Sequence, residues 1–265
     1  MFEFISRKLE LKHEGNKALP DYNTYIMGFP ERVLYNAVAA LFIYIAAFVF
    51  YRSHIISLLL IPLSLLYPRI KKGELLVRRR RMLNMQFKDM LYSLASSLTA
   101  GKSIENAFRE VLRDLSVLYP DAQEYIILEM ECMARRIEMN ETVEAVLADF
   151  ARRSRIEDIE NFSDVFQICK RSGGNIAEVV RNTSGIINDK IEIRQEIDML
   201  LAERKFEQKV LNIVPILLIV LLSASAADYM EPVFSTAAGR LVMTGAIILL
   251  AIAWFVSRKI MDIRV

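Results

Sequence analysis

The chain has 265 residues, 54% hydrophobic and 25% charged, with 34 Lys and Arg against 32 Asp and Glu. So many charges beside a mean hydropathy of +0.27 require the apolar residues to be gathered in blocks, and nine Gly and seven Pro exclude collagen-like, Gly-rich barrel and low-complexity chains. Two cysteines, Cys132 and Cys169, cannot build a disulfide framework, which excludes a secreted, disulfide-stapled domain.

Four blocks lack Asp, Glu, Lys and Arg: residues 33–51, 53–68, 210–227 and 241–257, of 19, 16, 18 and 17 residues. About 20 apolar residues cross a bilayer core of ~30 Å, so the blocks read as membrane spans. The second is short and broken by Pro62; a full crossing and a re-entrant or interfacial segment both fit it. The short polar stretch Arg52, Ser53 and His54 joins it to the first span, as in a tight transmembrane hairpin. The first apolar run begins too far into the chain, and lacks the small-residue cleavage site, for a signal peptide.

Charge sets the expected topology. Residues 69–81 hold Arg69, Lys71, Lys72, Arg78, Arg79, Arg80 and Arg81 against Glu74 alone, and such a cluster beside a membrane exit stays in the cytoplasm. The 228–240 loop carries Asp228, Glu231 and Arg240, and the tail carries Arg258, Lys259 and Arg264 against Asp262. Both agree with a cytoplasmic N-terminus, central region and C-terminus. Residues 82–210 have 17 positive and 23 negative charges, the opposite of a nucleic-acid surface. Arg78, Arg79, Arg80 and Arg81 therefore read as a topogenic and lipid-headgroup anchor.

The central region has one proline, Pro120, between Met82 and Val210, and its apolar residues recur every three or four positions. Faces run through Leu83, Phe87, Leu91 and Leu94, then Phe108, Val111 and Leu115, then Ile126, Met130 and Met133. Further faces are Val146, Leu147 and Phe150, then Ile159, Phe162, Phe166 and Cys169, then Ile176, Val180 and Ile187. The prediction is an all-α antiparallel bundle of about six helices. The organisation is an N-terminal cytoplasmic segment, 1–32; a transmembrane hairpin, 33–68; the bundle, 69–209; a transmembrane pair, 210–257; and a cytoplasmic tail, 258–265.

Three joints share one layout. Gly101, Asn140 and Gly173 (followed by Gly174) can close a helix in the left-handed conformation, and two residues later Ser103, Thr142 and Asn175 can cap the next. An apolar residue follows, then an acidic one in the first turn: Glu105, Glu144 or Glu178. Nothing stops the last helix between Asn175 and the third span: Ile186, Ile193, Ile197 and Leu200 keep a face, and Gly185 costs only ~1 kcal/mol relative to Ala. One rod of roughly 75 Å is expected, at ~1.5 Å per residue, kinked near Pro215.

The stretches 94–108 (LASSLTAGKSIENAF), 172–180 (SGGNIAEVV) and 192–197 (EIRQEI), with Ala202 and Glu203, resemble the F domain of the type II secretion system family. The resemblance covers about residues 85–227. It is nearest to the single-domain, TadB- and TadC-like members that serve Tad (tight adherence, or Flp) pili. It implies an inner-membrane platform that couples a cytoplasmic secretion ATPase to pilin extraction and filament assembly. Larger relatives carry the domain twice, which implies a second single-domain platform protein or a homo-oligomer here. The acidic groups Glu129, Glu131 and Glu138, and Glu157, Asp158 and Glu160, read either as solvated faces or as contacts to the ATPase.

Catalytic motifs are missing. No GxxxxGK[ST] loop is present, and Gly173-Gly174 lacks the Lys and Ser/Thr that hold a nucleotide phosphate. His13 and His54 are expected on opposite sides of the membrane, and Cys132 and Cys169 on apolar faces as small hydrophobes. The spans lack the buried ionisable groups of transporters; Asn212, Ser223, Ser225 and Thr244 suit helix packing. The chain reads as a non-enzyme without cofactor, metal or nucleic acid. The alternative functions are a membrane-anchored scaffolding or signalling protein with no pilus role, and a transporter accessory subunit.

Overall fold

The computed structural model describes residues 22–24 and 27–261, without the side chains of Ala227, Tyr229, Arg258 and Met261. His13, Asp262 and Arg264 lie outside these residues. Among the described residues there is helix and no strand. In order the helices are α1 (Phe29–Tyr51), α2 (His54–Leu60), α3 (Tyr67–Thr99), α4 (Ile104–Leu118), α5 (Tyr125–Glu138), α6 (Val143–Ser154), α7 (Glu157–Ser172), α8 (Ile176–Ser225), α9 (Ala227–Ser235) and α10 (Ala237–Met261). Two compact units emerge: Ile70–Glu192 with the described residues up to Glu31, and Arg32–Arg69 with Ile193 onward.

The second unit carries the membrane elements. Four helical runs are long and apolar enough to cross a bilayer: Phe29–Tyr51, His54–Thr99, Ile176–Ser225 and Ala237–Ser257. The chain is an all-α, multi-pass membrane protein. The hairpin between the first two turns at Arg52, which adopts φ 45° and donates its backbone N–H to Phe48 O at 2.9 Å. Pro62 does not break the second run; it shifts six residues, Ile61–Leu66, into a 3₁₀ turn between α2 and α3. Within this unit Tyr51 Oη lies 2.8 Å from Thr244 Oγ1, whose own hydrogen goes to Arg240 O. Tyr51 is therefore the donor, and the bond joins α1 to α10. Asp228 and Glu231, expected in a loop, lie on the short helix α9.

The first unit is a six-helix bundle, α3 to α7 with the opening turns of α8. The predicted faces pack into one core of Leu83, Phe87, Phe108, Met130, Phe150, Phe162, Phe166 and Val180, each 1% exposed or less. Phe87 sits at its centre, with ring centroids 6.1 Å from Phe150 and 5.6 Å from Phe162, spacings at which aromatic edges meet faces. Gln86, also on α3, is 1% exposed: its amide oxygen accepts from Ile126 N at 3.2 Å and its nitrogen donates to Glu124 at 2.6 Å. A neighbouring helix thus supplies the N-terminal cap that Glu124 does not give α5.

Candidate functional site

The three joints are built alike. At each, a left-handed residue closes the helix: Gly101 at φ 81°, Asn140 at φ 65° and Gly173 at φ 71°. Each donates to the carbonyl three residues back, and its successor donates to the carbonyl five back. The pairs are Gly101 N to Leu98 O with Lys102 N to Ser97 O, Asn140 N to Ile137 O with Glu141 N to Arg136 O, and Gly173 N to Lys170 O with Gly174 N to Cys169 O. This double bond pattern satisfies carbonyls that the helix end would otherwise leave without partners. The next side chain then caps the following helix: Ser103 Oγ accepts from Asn106 N, Thr142 Oγ1 from Ala145 N, and Asn175 Oδ1 from Glu178 N, at 3.3–3.4 Å. Gly174 is needed for room: a Cβ there would lie 2.9 Å from Cys169 Sγ. A fourth left-handed joint, at Arg155 (φ 47°), gave no signal in the sequence because Arg rarely marks one.

The long helix is present as expected. α8 runs 50 residues without interruption and holds Pro215 in its interior. Proline lacks the N–H that would bond to the carbonyl four residues earlier, so Leu211 O loses its intrahelical donor there. Residues up to Glu192 belong to the bundle and those from Ile193 to the membrane unit.

The basic strip divides. Arg78 and Arg81 are exposed. Arg79 is not: it is 6% exposed, with its guanidinium 5.2 Å from the Tyr22 ring centroid and 5.0 Å from that of Tyr125. Half-buried Arg80 turns to the same segment, hydrogen-bonding Asn23 Oδ1 and Tyr22 O. Stacking on aromatic faces compensates Arg79 for lost water, so its place is inside the bundle rather than at lipid.

The acidic candidates divide as well. Glu129 is fully buried and accepts from Arg153 Nη1 at 2.7 Å, Arg153 Nη2 at 2.6 Å and Tyr22 Oη at 2.9 Å. Asp158 is 8% exposed and accepts from Asn84 at 2.7 Å and Lys190 at 2.8 Å, stitching α3 and α8 to the start of α7. Both carboxylates are too buried to meet a partner, contrary to the expectation that they could contact the ATPase. Glu131, Glu138, Glu157 and Glu160 are accessible; Glu131 pairs with Arg135 and Glu138 lies 3.6 Å from Arg109. Such exposed pairs are worth at most about 1 kcal/mol.

Around Arg153 the electrostatics are one-sided. Burial works to lower its basicity, but hydrogen bonds and charges from Glu129 and Asp149 outweigh this and hold it above the usual arginine value. Burial likewise pushes the Tyr22 hydroxyl well up, with the Glu129 charge and hydrogen bond adding to it. Burial, then Glu129, also raises the half-buried Cys132 thiol, while Cys169 is 7% exposed on α7. A raised pKa leaves little thiolate near neutral pH and makes Cys132 a poor nucleophile. His54 Nδ1 lies 2.8 Å from Tyr44 Oη within the membrane hairpin. Among the described residues no group of three His, Cys, Asp or Glu side chains could hold a metal. The chain turns at defined, hydrogen-bonded joints, and its buried polar groups Gln86, Glu129 and Asp158 tie helices to one another.

Comparison with known proteins adds the family. No curated protein and no solved structure matches the chain. A family model described as "Type II secretion system (T2SS), protein F" matches residues 90–224, just over half of the chain, from the α3 core through the third span. Members of this family are structural components of secretion and pilus platforms in the inner membrane. The matched residues contain all three joints and nearly the whole of α8, and the chain belongs to the type II secretion system protein F family.

Proposed function

We propose that this protein is a platform subunit of a Tad/Flp-type pilus or type II secretion-like machine, coupling a cytoplasmic secretion ATPase to pilin extraction and filament assembly. The carrying observation is α8, one helix of 50 residues that starts in the bundle and ends in the membrane unit. A helix interior resists bending because each turn is hydrogen-bonded to the next, so motion imposed at one end is felt at the other. In this reading the N-terminus, bundle and C-terminus face the cytoplasm, with Arg78 and Arg81 at the lipid headgroups. The single F domain is completed by a second single-domain platform protein or by another copy of this chain. The ATPase docks on the accessible carboxylates Glu131, Glu138, Glu157 and Glu160.

The test is a strain lacking the gene, with the full chain in mild detergent used as bait. The reading expects loss of surface filaments or secretion, restored by the gene, and retention of the ATPase on the bait that weakens as salt rises. Exposed charges reach only ~8 Å at 0.15 M ionic strength. Normal filaments and secretion in the deletion strain would overturn the assignment. Salt-independent retention would remove the carboxylates as the dock.

A further inference from the structure

Residues 22–24 lie far outside the family match, in the segment leading to α1, yet they make some of the most buried contacts of the bundle. Tyr22 is 0% exposed. Its ring meets Tyr125 edge to face at 5.8 Å, and the Arg79 guanidinium lies over both rings. Its hydroxyl donates to Glu129, 107 residues away, and its carbonyl accepts from Arg80 Nε at 3.4 Å. Next to it, Asn23 Nδ2 donates to Arg153 O at 3.1 Å. One tyrosine and one asparagine thus touch α3, α5 and α6 at once.

The chemistry of the slot explains why a tyrosine fills it. Its floor is an ion pair, Glu129 with Arg153, and its wall is the flat cation Arg79. The occupant must offer an aromatic face to Arg79, cover the pair from water and still give the carboxylate a donor, which a phenol does in one side chain. Tyr22 belongs to the buried core cluster, but the ring pairs at the centre of that cluster do not include it. Phe87, Phe150, Phe162 and Phe166 pack together, and the three joints close on their own backbone bonds. Only six residues separate Thr24 from Glu31, the third residue of α1, so the seated tyrosine is a tie between the bundle and the chain entering the first span.

We propose that residues 22–24 form a releasable latch, with Tyr22 seated over the Glu129–Arg153 pair, tying the lead-in of the first membrane helix to α5 and α6. Release uncovers the ion pair to water and loosens the α5–α6 contact without unfolding the bundle. This stands independently of the secretion reading, since it concerns contacts within one chain.

The experiment uses the full chain in detergent with Cys132 and Cys169 replaced by Ala and spin labels at Thr24→Cys and Arg152→Cys, exposed positions beside Asn23 and Arg153. The latch expects one short, narrow distance in this chain and when Tyr22→Phe is added, because the ring stays seated. With Tyr22→Ala it expects a longer, broad distribution at unchanged helix content. In a parallel chain keeping Cys132, which lies one turn beyond Glu129, alkylation should rise at least tenfold for Tyr22→Ala and only a few-fold for Tyr22→Phe. A broad distance before Tyr22 is changed, or a short one in Tyr22→Ala, overturns the latch. Wholesale loss of helix in Tyr22→Ala also overturns it, by making the segment an obligatory part of the core.

Discussion

The buried pair of Glu129 and Arg153 predicts an asymmetry. Arg153→Met keeps the length of the side chain but leaves the Glu129 carboxylate, fully buried, with Tyr22 as its remaining donor. Breaking a buried pair from one side costs about 3–5 kcal/mol, because the surviving charge is neither paired nor hydrated. Glu129→Gln is milder. Arg153 then still has Asp149 at 3.0 Å and a side chain 20% exposed, and the amide oxygen can accept from Tyr22 and Arg153. The expected cost is about 1–2 kcal/mol, that of a weakened charged hydrogen bond. The two variants should differ by ~2–3 kcal/mol, roughly 30- to 150-fold in the local opening equilibrium. The double variant leaves no unpaired carboxylate and should be less damaged than Arg153→Met alone. Amide hydrogen exchange of α5 and α6 in the detergent-solubilised full chain reads these values directly. Equal losses for the two single variants, or a double variant worse than Arg153→Met, would refute the reasoning.

Two further outcomes follow from single residues. Gly173→Val places a β-branched side chain at φ 71° and should cost at least ~1–2 kcal/mol, whereas Gly185→Ala, inside α8 with open space around its Cβ, should gain about 0.5–1 kcal/mol; thermal melts of the two should shift in opposite directions. For acid stability, burial raises the Asp149 carboxyl, but hydrogen bonds from Arg152, Arg153 and Arg136 and the charge of Arg153 outweigh it and hold it below the usual value. A carboxyl lowered on folding stabilises above its unfolded pKa and loses that contribution as pH falls below about 4. Asp149→Asn should therefore flatten the bundle's helix loss below about pH 4, and an unchanged acid limb would count against the Arg network.

Local features were legible in the sequence and long-range polar ones were not. The joints could be read because left-handed geometry selects Gly or Asn and capping selects Ser, Thr or Asn, all within four residues. α8 could be read because its periodicity runs on with no breaker before Pro215. The left-handed turns at Arg52 and Arg155 escaped because their residue type carries no such preference. Glu129 beside Glu131, and Arg79 within a run of arginines, have the appearance of solvated charge. Their burial depends on Arg153 and Tyr22, partners 24 and 57 positions away that no local pattern links to them. The docking of Tyr22 is the extreme case, a single aromatic residue whose slot is assembled from three helices.

The central claim is that one stiff helix joins bundle and membrane unit, and a distance measurement along α8 tests it most directly. Spin labels replacing the exposed Arg181 and Glu207, 26 residues apart in α8, in a chain reconstituted in bilayers and diluted with unlabelled protein, should give one narrow distance near 39 Å at ~1.5 Å per residue. A broad distribution, or a markedly shorter mean, would show a flexible joint within this stretch and contradict transmission through it.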